Sequence, residues 1–129
     1  MAIQSIQQAR AKYALEQVEV AAKKLSKEQK KEYVSYAASL PAMIHMNGLG
    51  QAAAFYKSKG DRHGMLYELL SNWLCGVGRP YGGSAFKAEG LVKVITESDM
   101  KTYKLAQAEA QALMDWVKKF AKAYMKEAK

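Results

Sequence analysis

Leu40-Pro-Ala-Met-Ile-His-Met-Asn-Gly-Leu-Gly-Gln-Ala-Ala-Ala-Phe-Tyr56 is the stretch on which the fold turns. It is seventeen residues without an Asp, Glu, Lys or Arg. Pro41 disfavours a helical Leu40 and suits the first turn of a new helix, so a break is expected there. Asn47-Gly48 supplies a second break, because both residues tolerate positive φ. Met43, Ile44 and Leu49 alternate with alanines, and Phe55-Tyr56 close the run. The expectation is a kinked central helix pair, with Met43, Ile44, Leu49 and Phe55 buried.

On the N-terminal side, residues 2–24 contain neither Pro nor Gly and are rich in Ala, Gln, Glu and Lys, all compatible with helix. Ala11, Ala14, Val18, Ala21 and Leu25 recur at spacings of three and four, the signature of one helical face. Ser26 followed by Gln29 reads as a capping box opening a second helix, from Lys27 to about Leu40. Its apolar set is Tyr33, Val34, Tyr36, Ala37 and Leu40. The short joint predicts an antiparallel helical hairpin. Its tip gathers Lys23, Lys24, Lys27, Lys30 and Lys31, a group that reads equally as a solvated face or as a binding surface.

On the C-terminal side, Lys57 to Gly64 is a polar loop, and Asp61 is the expected cap of a helix over Met65 to Cys75. Leu66, Leu69, Leu70, Trp73 and Leu74 stripe that helix. The glycines from Gly76 to Gly83 end it in a loop that reads first as an ordinary connector and second as one presenting Arg79 and Tyr81 to a partner. A short helix is expected between Phe86 and Ile95. Ser98 is the expected cap of a last, long helix from Asp99 almost to the end. On it Tyr103, Ala106, Ala110, Leu113, Val117, Phe120 and Tyr124 recur at three and four. Leu113, Val117 and Phe120 are expected in the core. Lys119, Lys122, Lys126 and Lys129 form a second stripe. No repeat appears at solenoid periods.

The 129 residues suit one domain, residues 1–129, large enough to bury a core without staples. The fold class is all-α: a single-domain bundle of about six helices with a kinked central pair and a long C-terminal helix. No apolar run approaches the roughly 20 residues of a membrane span, the first residues lack a signal-peptide pattern, and Cys75 is alone, so a cytoplasmic address is expected. Twenty basic residues against twelve acidic ones leave a charge of +8, which favours a polyanionic partner. The excess is spread out: ten basic residues face five acidic ones in residues 1–64, and ten face seven in residues 65–129.

Catalytic chemistry finds no foothold. His45 and His63 share no metal-ligand spacing with Cys75 or an acid. His45 reads as a hydrogen-bonded interior residue and His63 as an exposed loop residue. Gly76 to Ser84 lacks the Gly-Lys-Ser/Thr ending of a phosphate loop and follows a helix rather than a strand. The acids are dispersed among lysines on polar helical faces, with no pair in an apolar pocket for acid–base work. No active site, cofactor or metal is expected, and the residues alone imply a basic, all-helical binding or scaffold domain.

Three segments carry a more specific signal: Leu40-Pro41-Ala-Met43-Ile44 through Asn47-Gly48-Leu49 to Phe55, Trp116-Val-Lys-Lys-Phe120-Ala-Lys-Ala123, and Gln8-Ala9-Arg10-Ala11 to Tyr13-Ala14. In order and spacing they resemble the small all-helical subunit of the type III-B CRISPR RNA-silencing complex, the Cmr complex. The resemblance implies a non-catalytic subunit that stacks with copies of itself beside other subunits, lining a channel for guide and target RNA. Cleavage would then belong to another subunit, and no membrane would be involved. It fixes no RNA-contacting residue. Charge placement nominates Lys23, Lys24, Lys27, Lys30, Lys31, Arg79, Lys119, Lys122 and Lys126. The alternative from the residues is a stand-alone basic DNA-binding protein of nucleoid type, and a small nuclease is the third reading.

Overall fold

In the computed structural model of the protein, the described residues are 5–76, 78–82 and 90–125. Six helices are found there: α1 (Ile6–Lys24), α2 (Lys27–Asn47), α3 (Leu49–Lys59), α4 (Asp61–Leu74), α5 (Leu91–Thr96) and α6 (Met100–Met125). No strand occurs among the described residues. The capping box expected at Ser26 and Gln29 forms, with the Gln29 amide donating to Ser26 Oγ at 3.2 Å and the Ser26 amide donating to Gln29 Oε1 at 3.0 Å. Ser5 and Gln8 build the same device on α1, at 3.1 and 2.9 Å, a pair the sequence reading passes over.

α6 is the axis of the bundle. α1 and α2 make the two most extensive contacts in the fold, both with α6 and not along each other. The expected α1–α2 hairpin is therefore corrected to two helices that diverge from the Leu25-Ser26 joint. The reason is apolar area. Ala14, Val18 and Ala21 of α1 and Tyr33, Ala37, Leu40 and Ile44 of α2 are all buried, and α6 offers both faces a partner.

α2 also overturns the expected break at Pro41, since it runs unbroken through that residue to Asn47. A proline inside a helix loses one backbone hydrogen bond and crowds the preceding turn, at about 3 kcal/mol. Here Pro41 is buried together with Ala37, Leu40 and Ile44, and closing that face outweighs the local cost. Tyr56 of α3 reinforces the preceding turn, its hydroxyl donating to the Tyr36 carbonyl at 2.7 Å.

The second break, at Gly48, is where the central pair turns (φ 88°, ψ 158°). Gly48 has no side chain to cap α3, and α6 supplies the cap instead. Gln107 Oε1 accepts from the Leu49 amide at 2.8 Å, and Tyr103 Oη accepts from the Gly50 amide at 2.9 Å. α5 repeats the solution at Gly90, its first amides donating to Ser71 Oγ and Tyr67 Oη of α4, both at 3.0 Å. A Cβ on Gly48 would lie 3.1 Å from the Tyr103 hydroxyl, in a backbone region that only glycine occupies at ease. Gly48→Ala is expected to cost about 2–3 kcal/mol, read as a lower urea midpoint at unchanged slope. A loss below about 0.5 kcal/mol would mean that the α2–α3 turn relaxes freely.

Three start positions differ from expectation. α4 begins at Asp61, behind Gly60, and not at Met65. Asp61 makes no cap bond and itself sits at φ 49°, a conformation Asp tolerates. At α6 the cap is Asp99 rather than Ser98, because Asp99 Oδ1 accepts from the Thr102 amide at 2.7 Å. α5 begins inside the expected Phe86–Ile95 segment and ends one residue beyond it, at Thr96, while residues 86–89 fall outside the described residues.

The register of α6 shifts as well. Leu113 and Val117 are buried as expected, but Phe120 is half-buried and Tyr124 is 56% exposed. The buried stripe is Ala106, Ala110, Leu113, Met114, Val117, Ala121 and Met125. A strict three-four alternation follows 3.5 residues per turn, which drifts about 20° per seven residues on a straight helix. The pairs Ala106/Val117, Ala110/Ala121 and Met114/Met125 are each eleven residues apart, which at about 3.6 residues per turn is close to three full turns and returns each pair to one face. In the central pair Ile44 and Leu49 are buried, whereas Met43 is half-buried and Phe55 is 41% exposed.

Candidate nucleic-acid interface

Both lysine groups project from the same end of the bundle. The Gly48 end of α2 is tied to Tyr103 and Gln107, in the first two turns of α6. α2 packs along α6, so it must run back antiparallel to it. Its first turn, and with it the α1–α2 joint, therefore lies toward the C-terminal end of α6, where Lys119 and Lys122 stand.

Lys23, Lys24, Lys27, Lys31, Lys119 and Lys122 are exposed or nearly so, and Lys30 is half-buried. Lys31 meets Glu28 at 3.7 Å, with both side chains mostly in solvent, a pair worth little. Glu32 is held by Arg62 at 3.2 Å. Among the described residues no ion pair joins Lys23, Lys24, Lys27, Lys30, Lys119 or Lys122. Their charge is therefore available to a polyanion. Lys126 lies outside the described residues.

Arg79 is placed differently. Its guanidinium lies 4.0 Å above the Trp73 ring, a cation–π contact, and its Nε is buried without a partner among the described residues. Tyr81, which the second reading of the loop presents beside it, is buried. Trp73 belongs to a network that the sequence does not reveal. Its Nε1–H donates to Glu109 Oε2 at 2.7 Å, and Arg10 donates to both oxygens of that carboxylate at 2.6 and 3.0 Å. Burial alone would raise the Glu109 carboxyl. The hydrogen bonds from Arg10 and Trp73, with the charges of Arg10 and Arg79, outweigh burial and hold it below its usual value. Glu109 is thus the exception to the acids on solvated faces. It joins α1, α4 and α6 rather than serving as an acid or base.

The histidines exchange their expected places. His45 is exposed. His63 stacks on Tyr36 with ring centroids 3.7 Å apart and meets Tyr56 edge-on at 4.8 Å. Burial, and then the charge of Lys59, lower its pKa. Among the described residues no three His, Cys, Asp or Glu side chains gather as metal ligands, and no helix is long and apolar enough to cross a membrane.

A second feature escapes the sequence reading: Trp116, Phe120 and Tyr124 form a row of rings along α6, with centroids 5.4 and 6.3 Å apart. Their spacing of four is visible in the sequence, but the three-four alternation assigns Phe120 and Tyr124 to the packed face.

With this geometry in place, the family model described as CRISPR-associated protein (Cas_Cmr5) matches residues 6–124. The chain belongs to the CRISPR-associated Cmr5 family. The crystal structure of a CRISPR-associated Cmr5 family protein from Thermus thermophilus shares the fold at a TM-score of 0.77 and 30% identity, covering 94% of this chain and 98% of that one. Cmr5 membership makes the chain a small subunit of a type III-B CRISPR complex, in agreement with the three sequence segments. It does not favour a stand-alone DNA-binding protein.

Proposed function

We propose that the chain, folding as one domain over residues 1–129, is a non-catalytic structural subunit of a cytoplasmic type III-B effector complex. It stacks with copies of itself beside the other Cmr subunits and contacts guide and target RNA through its basic end. The observation that carries this reading is the convergence of Lys23, Lys24, Lys27 and Lys30 with Lys119 and Lys122, none ion-paired among the described residues. Lysine offers a hydrated point charge that tracks phosphates without reading base edges. Sequence choice is thus left to guide–target pairing. Arg79, spread over Trp73, contributes less than the lysines.

The test is target-RNA affinity of the assembled complex against salt, for Lys→Gln variants of each group. Each phosphate-contacting lysine removed is expected to lower the logarithmic salt slope by about 1, evenly across RNA sequences. Stability of the free chain should change by less than about 0.5 kcal/mol. Unchanged affinity and slope in an intact complex would reduce these lysines to a solvated face.

A further inference from the structure

The row Trp116, Phe120 and Tyr124 serves no evident packing purpose at its outer end. The eleven-residue period of the buried stripe passes through Val117, Ala121 and Met125, which leaves the rings on its flank. Trp116 and Phe120 each rest on the core and are half-buried, while Tyr124 is largely exposed. Lys119, three residues after Trp116, lies on the same side of the helix. Beside Trp116 is a cleft of about 200 Å³ lined by Gln7, Ala112, Asp115, Trp116 and Lys119. Gln7 Oε1 accepts from Arg10 at 3.0 Å.

We infer that this row is a stacking platform for unpaired bases of single-stranded RNA, with Lys119 and Lys122 taking the adjoining phosphates. The inference rests on the RNA-contact reading above and adds a mode of contact to it. Rings interleaved with basic side chains are the chemistry that single-stranded nucleic acid requires, because every base offers a π-face whatever its sequence. A duplex hides those faces and would engage only the lysines. An isologous contact with a second copy fits less well, since it would set Lys119 and Lys122 against their own counterparts.

Tryptophan emission reads the contact directly. Trp73 is buried under Arg79 and gives a constant background, whereas a base laid on Trp116 should quench it. A single-stranded RNA oligomer titrated into the full chain at low salt should quench emission. A duplex of the same length should bind with little quenching. W116A should lose the quenching and weaken single-strand binding about 10-fold, and W116F should restore most of the affinity without the signal. Y124A should weaken binding in the same direction.

If single-strand binding keeps its salt slope but shows no quenching, and W116A binds as tightly, the platform is overturned while the lysine contact stands. If W116A instead abolishes a concentration-dependent self-association seen by sedimentation, the row is a contact between copies and the inference fails. If no RNA binds even at low salt, the platform is overturned together with the direct RNA contact.

Discussion

Leu113→Ala should remove about 3–5 kcal/mol of stability, whereas Phe120→Ala, seven residues on, should cost only about 1–2 kcal/mol. Leu113 is fully buried at the middle of α6, on the stripe against which α1 and α2 pack. Shortening it deletes three methyl or methine carbons and leaves a cavity walled by helices held from both sides. Such a site collapses poorly, and the cavity adds to the lost transfer energy. Phe120 keeps one face on the core and stacks on Trp116 at 5.4 Å, but it is only half-buried. Its truncation leaves a notch open to water instead of a void. Urea unfolding of both variants, with slopes equal to that of the parent, checks the ordering. Equal losses would show that Phe120 belongs to a closed core, and that the eleven-residue register of α6 is wrong.

The contrast also shows what the sequence can and cannot disclose. Helix content is legible because breaks and caps act within a few residues: Ser26 with Gln29, Asn47-Gly48, and the glycines after Cys75. Pro41 misleads for the same reason. Its local rule is correct, but the burial of Leu40 and Ile44 that overrides it depends on α6, some seventy residues away. The register of α6 misleads because three-four alternation and an eleven-residue period agree over two turns and part only over five. Gly48 is recognisable as a turn, but not the capping of α3 by Tyr103 and Gln107. The lysine groups are visible as composition, yet their meeting at one end follows from the antiparallel course of α2 and α6. Trp116, Phe120 and Tyr124 are visible too, and the wrong period draws two of them into the core. The Arg10–Glu109 pair spans 99 residues, and nothing local marks either partner.

Glu109→Ala is the other substitution expected to do severe damage, about 3–5 kcal/mol. The carboxylate accepts two bonds from Arg10 and one from Trp73, and the Arg10 and Glu109 side chains are only 15% and 11% exposed. Removing it strands a guanidinium and an indole N–H in a poorly hydrated seam between α1, α4 and α6, and an unpaired buried charge costs more than the intact pair contributes. Glu109→Gln keeps the shape and one acceptor, so it should lose less. The pH dependence isolates the charge. Because Glu109 is held below its ordinary value of 4.5 in the folded protein, its contribution is fully present above that pH. It is lost as the pH falls through the depressed folded value. The stability gap between parent and Glu109→Gln should therefore be flat at neutral pH and close below about pH 4.5. Asp99, lowered chiefly by the Thr102 amide, adds to acid sensitivity with the same sign, but is present in both proteins and cancels in the difference. A gap that stays constant into the acid range would mean that the carboxylate serves Trp73 and Arg10 by its shape and acceptors alone. Arg10 would then contribute to stability through packing rather than charge.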